Sequence, residues 1–161
     1  AVWSVNEKVA YAEALGASFA GQRAMVSFKH VGLNVAADPF MNSAMTGANG
    51  GLVVVSADDP GMHSSQNEQD SRFFARFAQV LCFEPSDHQD CYDMSRQAFD
   101  ISEALGLPVL IRLVTRLSHS RSSVETREPR PIGARSATCL RAGSLAANSI
   151  SAVGKAAASS S

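Results

Sequence analysis

The run Leu52-Val53-Val54-Val55-Ser56-Ala57 leaves this chain few folds to choose from. A short, nearly unbroken stretch rich in β-branched residues suits a strand buried on both faces. Strands of that kind belong to parallel sheets covered by helices on each side, so the rest of the sequence should supply those helices. It does. Strand-like and helix-like segments alternate along the chain, and the expected fold is α/β, a doubly wound, mostly parallel sheet with right-handed crossovers.

The spacing predicts a first helix opened by Ser4, with Glu7 three residues on and Ala10, Ala14, Leu15 and Phe19 continuing an apolar stripe to Gly21. Ala24-Met25-Val26-Ser27-Phe28 reads as a strand, and Lys29-His30-Val31-Gly32-Leu33-Asn34 as a polar loop leaving it. Asp38-Pro39 makes a good N-cap and first-turn pair for a helix running to about Thr46. After the central strand come a long polar loop over residues 58–68, a helix through 72–77 and a strand at 80–83. Ser86, with Gln89 at the reciprocal position, should cap a helix that ends near Gly106. Residues 108–114 read as the fourth strand and 115–121 as the loop that leaves it.

Composition narrows the function. A net charge of -1 gives no footprint for nucleic acid or an anionic membrane surface. Cys82, Cys91 and Cys139 are widely spaced and form no CxxC pair. Zinc ribbons, local iron–sulfur clusters and a disulfide framework are therefore poorly supported, and structural thiols of a reducing cytoplasm are expected. No apolar stretch approaches a membrane span and the N-terminus has no signal-peptide pattern. All 15 acidic residues lie at or before Glu128, after which Ala, Ser and Gly dominate. The expected division is a domain over residues 1–128, with its folded core between Val5 and Val114, and a tail over 129–161 that is disordered or not native.

In a doubly wound sheet, ligands gather at the carboxyl ends of the strands. Three polar segments leave those ends here: 29–34, 58–68 and 115–121. Glu7 has two readings. It can close a capping box with Ser4, or it can be a partly buried carboxyl, a setting that favours proton exchange with a ring nitrogen. Gly32 permits a tight turn or a close approach to a ligand, and His30 can shuttle a proton, bind a carboxylate or be a satisfied structural residue. Asp58, Asp59 and His63 have no spacing that fixes a metal site, and the aspartates are expected to cap turns; no metal ligand is assigned. Ser118-His119-Ser120 invites a hydrolase reading, but sequence neighbours rarely form a nucleophile–base pair and no GxSxG elbow is present. Neither GxGxxG nor GxxxxGK[ST] occurs.

Longer strings say more. Trp3-Ser4-Val5-Asn6-Glu7-Lys8-Val9-Ala10 and Lys29-His30-Val31-Gly32-Leu33-Asn34-Val35-Ala36-Ala37-Asp38-Pro39 closely resemble the alpha subunit of the indolepyruvate:ferredoxin oxidoreductases, a thiamine diphosphate-dependent family. So do Ala57-Asp58-Asp59-Pro60-Gly61-Met62-His63-Ser64-Ser65-Gln66-Asn67-Glu68-Gln69-Asp70-Ser71-Arg72 and Leu113-Val114-Thr115-Arg116-Leu117-Ser118-His119-Ser120-Arg121, in the same order. The likeness runs from about Ala1 to Arg121.

The resemblance implies a pyrimidine-binding domain of a thiamine diphosphate enzyme. Glu7 matches the glutamate that hydrogen-bonds the aminopyrimidine ring and so promotes deprotonation of thiazolium C2. Gly32, Leu33 and Asn34 would lie on the cofactor side, while His30, His63, Gln66 and Arg72 are candidates for the substrate pocket. The implied reaction is oxidative decarboxylation of an aryl pyruvate to an acyl-coenzyme A, with electrons passed through iron–sulfur clusters to ferredoxin in a cytoplasmic enzyme. The departures are equally specific. The family's glycine-rich first strand and helix, the diphosphate-binding domain with its magnesium-holding GDG-type motif, and the cluster-binding cysteines are not in these residues. The chain is thus expected to be an incomplete domain, inactive alone, that works with the diphosphate domain and a second subunit. Two other readings stand beside this one: half of another thiamine-dependent 2-oxoacid decarboxylase, and a non-catalytic α/β interaction module.

Overall fold

The computed structural model describes residues 1–128, so the expected tail over 129–161 and Cys139 lie outside the described residues. Four strands form one parallel sheet: β1 (Ala24–Lys29), β2 (Leu52–Asp58), β3 (Leu81–Phe83) and β4 (Val109–Val114), in the order β1-β2-β4-β3. The Val-rich segment is β2, which pairs on both sides: Val54 lies opposite Val26 of β1 and Leu110 of β4. A strand with neighbours on both edges and helices on both faces buries most of its side chains, here all but the partly exposed Val55 and Ala57, which is why its apolar run shows almost no alternation.

The helices are α1 (Glu7–Phe19), α2 (His30–Val35), α3 (Ala37–Thr46), α4 (Arg72–Ala78), α5 (His88–Leu105) and α6 (Thr115–Ser118). Successive residues of β2 feed opposite layers, as strand pleating requires. Leu52 and Val54 join Tyr11, Leu33, Phe40, Val80 and Leu110 in the larger core cluster, beneath α1 to α4. Val53 joins Ala98, Val109 and Ile111 in a second cluster under α5. The expected doubly wound architecture is thus the observed one.

Several boundaries differ from the sequence expectations. Helix α1 starts at Glu7, not Ser4: Asn6 is the N-cap, its side chain accepting the Val9 amide at 2.9 Å. Ser4 instead donates to Glu13 across the first turns, so no capping box joins Ser4 to Glu7. The segment after β1 is helical rather than a loop. His30 and Leu33, three residues apart, both turn inward, and burying that face favours a short helix over an open turn. Asp38 is the second residue of α3 rather than its cap, which Ala36 fills without a side-chain bond. At α5 the cap is Asp87, accepting from the Asp90 amide at 2.8 Å, and Asp90 rather than Gln89 reaches back, to Ser86. Residues 115–118 form a helical turn where a loop was expected. The stop near Gly106 is as expected: this residue takes φ 67°, the left-handed C-terminal position that glycine fills without steric cost.

Candidate functional site at the carboxyl ends of the strands

Helix α1 packs back against β1, so its first residue lies beside the end of that strand, where α2 begins. One turn further along α1, Tyr11 is wholly buried, stands edge-on to Phe40 and shares a 2.6 Å hydrogen bond with Ser43 Oγ on α3. Burial pushes the Tyr11 hydroxyl above its usual range, keeping it protonated, and Ser43 works weakly against that. This anchor fixes the start of α1 against α3. Helical spacing then places Glu7, four residues earlier, on the same inward side.

Glu7 is half-buried, and its carboxylate forms no hydrogen bond or ion pair with another described residue. Directly beneath it is Gly32. A Cβ on Gly32 would sit 2.7 Å from Glu7 Cγ, 3.2 Å from Glu7 Oε1 and 2.8 Å from Phe28 Cβ. The close approach expected at Gly32 is therefore made to Glu7 itself. Residues 32–34 and Glu7, separate in sequence, form one patch: Gly32 is buried under the carboxylate, Asn34 is exposed, and Leu33 sends its side chain into the core. Leu33 could reach a ligand only through its backbone.

His30 is 1% exposed and shares 2.9 Å between Nε2 and the Asn67 carbonyl. A carbonyl only accepts, so Nε2 carries the proton and donates. The ring's Nδ1 is buried with no hydrogen-bond partner among the described residues. His30 is thus half satisfied, and its one bond holds the long polar segment at 59–71.

That segment has further tethers. Asp59 accepts from the His63 and Ser64 amides at 3.2 and 2.8 Å and from Thr115 Oγ1 at 2.8 Å. The Ser64 amide above all, then the hydroxyls of Thr115 and Ser65, hold the Asp59 carboxyl well below the usual range against the effect of burial. The expectation that Asp59 caps a turn is met. Lys29 Nζ reaches Ser64 Oγ and Ser65 Oγ at 3.2 and 3.3 Å. His63 and Gln66 stand exposed on the outer side of the segment. Arg72 is at its far end, gripped by Asp70 at 2.6 Å and Glu84 at 3.2 Å, and the hydrogen bonds it donates to Asp70 chiefly raise its pKa. Its guanidinium is engaged by these partners rather than by the patch at Glu7.

Sequence reasoning missed one group altogether. Arg112 points from β4 into a buried cluster, its Nε 2.6 Å from Asp58 Oδ2 and 3.5 Å from Asp70, with Glu84 on its Nη1. Asp58 also accepts from the Ser71 amide at 2.9 Å and from the hydroxyls of Ser71 and Ser56. Burial opposes the Arg112 charge, but the bonds and charges of Asp58, Glu84 and Asp70 outweigh it and raise its pKa. The signal was present, since a lone arginine in an otherwise apolar strand must find a buried counter-charge.

Among the described residues, no group of three or more His, Cys, Asp or Glu side chains is placed to hold a metal ion. No helix among them is long and apolar enough to cross a membrane. Cys82 is pushed up to about 11 and Cys91 also upward, both first by burial, so neither is a ready thiolate.

Comparison with known proteins gives consistent results. Residues 2–151 match the family described as pyruvate flavodoxin/ferredoxin oxidoreductase, thiamine diphosphate-binding. The chain is 54% identical over 123 residues to the indolepyruvate oxidoreductase subunit IorA of Archaeoglobus fulgidus, covering 76% of this chain and 20% of that protein. With the same subunit of Pyrococcus abyssi it shares 57% over 122 residues, covering 76% and 19%. The chain therefore spans about a fifth of the length of the curated relatives it matches. Among solved structures, the 2-oxoglutarate:ferredoxin oxidoreductase of Magnetococcus marinus superposes with a TM-score of 0.63 at 22% identity, covering 72% of this chain and 21% of that one, a likeness of fold.

Proposed function

This chain belongs to the thiamine diphosphate-binding family of the pyruvate flavodoxin/ferredoxin oxidoreductases, and from that premise we propose that it supplies the cofactor-activating carboxylate of an indolepyruvate-type 2-oxoacid:ferredoxin oxidoreductase. The observation that carries the proposal is Glu7: a half-buried carboxylate with no partner among the described residues, seated on a glycine that leaves room for nothing larger. An acid in that position is free to hold a proton and to exchange it with a bound ring nitrogen.

The residues present fit the pyrimidine end of thiamine diphosphate. Glu7 would meet it, and the backbone of 32–34 would form the adjoining wall. When bound, thiamine diphosphate supplies the electron sink for loss of carbon dioxide from a 2-oxoacid. Everything else assigned here is done by protein groups. Glu7 holds and returns a proton, Gly32 sets its height, and the segment 59–71 presents His63 and Gln66 on the outer, substrate-facing side. The diphosphate and its magnesium, the iron–sulfur clusters, coenzyme A and ferredoxin would be met by other parts of the full-length protein and its partner subunit. The identity with the two indolepyruvate oxidoreductase subunits supports an aryl pyruvate as substrate.

The test is Glu7→Gln in the full-length protein, an isosteric change that removes only the titrating group. Turnover of indolepyruvate should fall by roughly 100-fold or more, the lower range for a positioned acid–base group, while thiamine diphosphate still binds. Unchanged turnover would remove Glu7 from the chemistry and the proposal with it.

A further inference from the structure

Residues 59–71 contain no helix or strand, yet both of their ends reach one buried guanidinium. Asp58, where the segment leaves β2, and Asp70, where it re-enters α4, lie 2.6 and 3.5 Å from Arg112 Nε. Glu84, just past β3, holds the other side of the same group. Asp58 doubles the link, since its second task is to accept the Ser71 amide at 2.9 Å. Farther out, His30 and Lys29 at the end of β1 hold Asn67 and Ser64. Ordering so long a polar segment costs conformational entropy at every residue. Here that cost is met on folding, before any ligand arrives.

We propose that Arg112 is a positioning residue, a clasp that closes the base of the 59–71 segment so that His63 and Gln66 meet the 2-oxoacid already in place. The inference rests on the functional reading above for the identity of the ligand, but the clasp itself rests on geometry alone. Arg112 touches no substrate. It acts through Asp58, Asp70 and Glu84, and only a planar, forked cation can serve three carboxylates that approach from different sides. A lysine in its place would keep the charge and lose the fork.

The experiment is made on the full-length protein with Arg112→Lys and Arg112→Met, reading amide exchange by segment together with 2-oxoacid kinetics. Arg112→Met leaves Asp58 buried without its counter-charge and is the variant at risk of not folding; Arg112→Lys carries the test if it fails. In the lysine variant, amides of 59–71 should exchange on the order of tenfold faster while those of β1, β2 and β4 keep their protection. KM for the 2-oxoacid should rise about tenfold with kcat nearly unchanged, the pattern of lost ground-state binding. Acceleration spread equally over segment and sheet, or a loosened segment with KM unmoved, would overturn the proposal. Failure of the functional reading shows elsewhere, as a wild-type protein that turns over no 2-oxoacid.

Discussion

At Gly32 two effects of known size oppose each other. Replacing a mid-helix glycine with alanine ordinarily gains about 1 kcal/mol, because alanine loses less backbone freedom. Here the new methyl group would sit 2.7 Å from Glu7 Cγ and 2.8 Å from Phe28 Cβ. The glutamate can swing away, but a Cβ on the preceding strand cannot move without its backbone. Overpacking of that kind costs about 1–3 kcal/mol, so Gly32→Ala should be destabilising on balance, and it should displace Glu7. Denaturant unfolding of the variant checks the sign: a gain in stability would mean that Glu7 does not rest on Gly32. Of the site's residues, Glu7 and Gly32 were legible in the sequence as types suited to the task, and the family strings attached a role to them. Their contact was not legible, because it joins residues 25 apart through two helices, one of which reads as a loop. Arg112 escaped for the opposite reason. Its neighbours on β4 announce a buried strand so plainly that the one charged residue in it drew no notice.

At the scale of elements, the sequence is most informative where many residues share a constraint. All four strands appear close to their expected places; burial on both faces filters nearly every position of the central β2 and β4, while the edge strands β1 and β3, partly exposed, are marked by their short apolar and β-branched runs. Helices α2 and α6, of 6 and 4 residues, were missed. One turn or so of helix is too short for a 3.6-residue period to show. Helix starts were misplaced by one to three residues where several capping residues crowd together, as in Ser86-Asp87 before α5. The two candidates predict different outcomes. Since Asp87 takes the Asp90 amide, Asp87→Ala should cost about 1 kcal/mol, whereas Ser86→Ala removes only the exposed hydroxyl bond to Asp90, keeping the backbone one, and should cost less. Equal losses in thermal unfolding would return the cap to Ser86. At the other end of α5, Gly106→Ala places a side chain at φ 67° and should cost about 1 kcal/mol.

Across the whole molecule, apolar and ionic stabilisation are kept apart. The two core clusters that hold the sheet to its helices are built mainly of Leu, Val, Ile, Phe and Ala and contain no carboxylate; Tyr11 in the larger one is held protonated by burial. The carboxylates with depressed pKa values lie instead toward the end of the sheet where the candidate site is. Asp59 is lowered chiefly by the Ser64 amide, Asp70 by Arg72, and Asp90 by Ser86. A carboxyl whose folded pKa is depressed contributes stability that is complete above its unfolded value, about 3.9 for aspartate, and is lost as pH falls through the folded value. Acid should therefore act first on what these groups hold. Asp59 and Asp70 stand at the two ends of residues 59–71, while the strands depend on burial that pH leaves untouched. Between about pH 4 and the folded values of Asp59 and Asp70, the expected state keeps its sheet and releases that segment. Amide exchange followed from pH 6 downward, with rates corrected for the intrinsic effect of pH, reads this directly. Protection over 59–71 should disappear at a higher pH than protection over β2 and β4. Loss of both in a single step would mean that the ionic end and the apolar core form one cooperative unit, and that the site is as stable as the sheet that carries it.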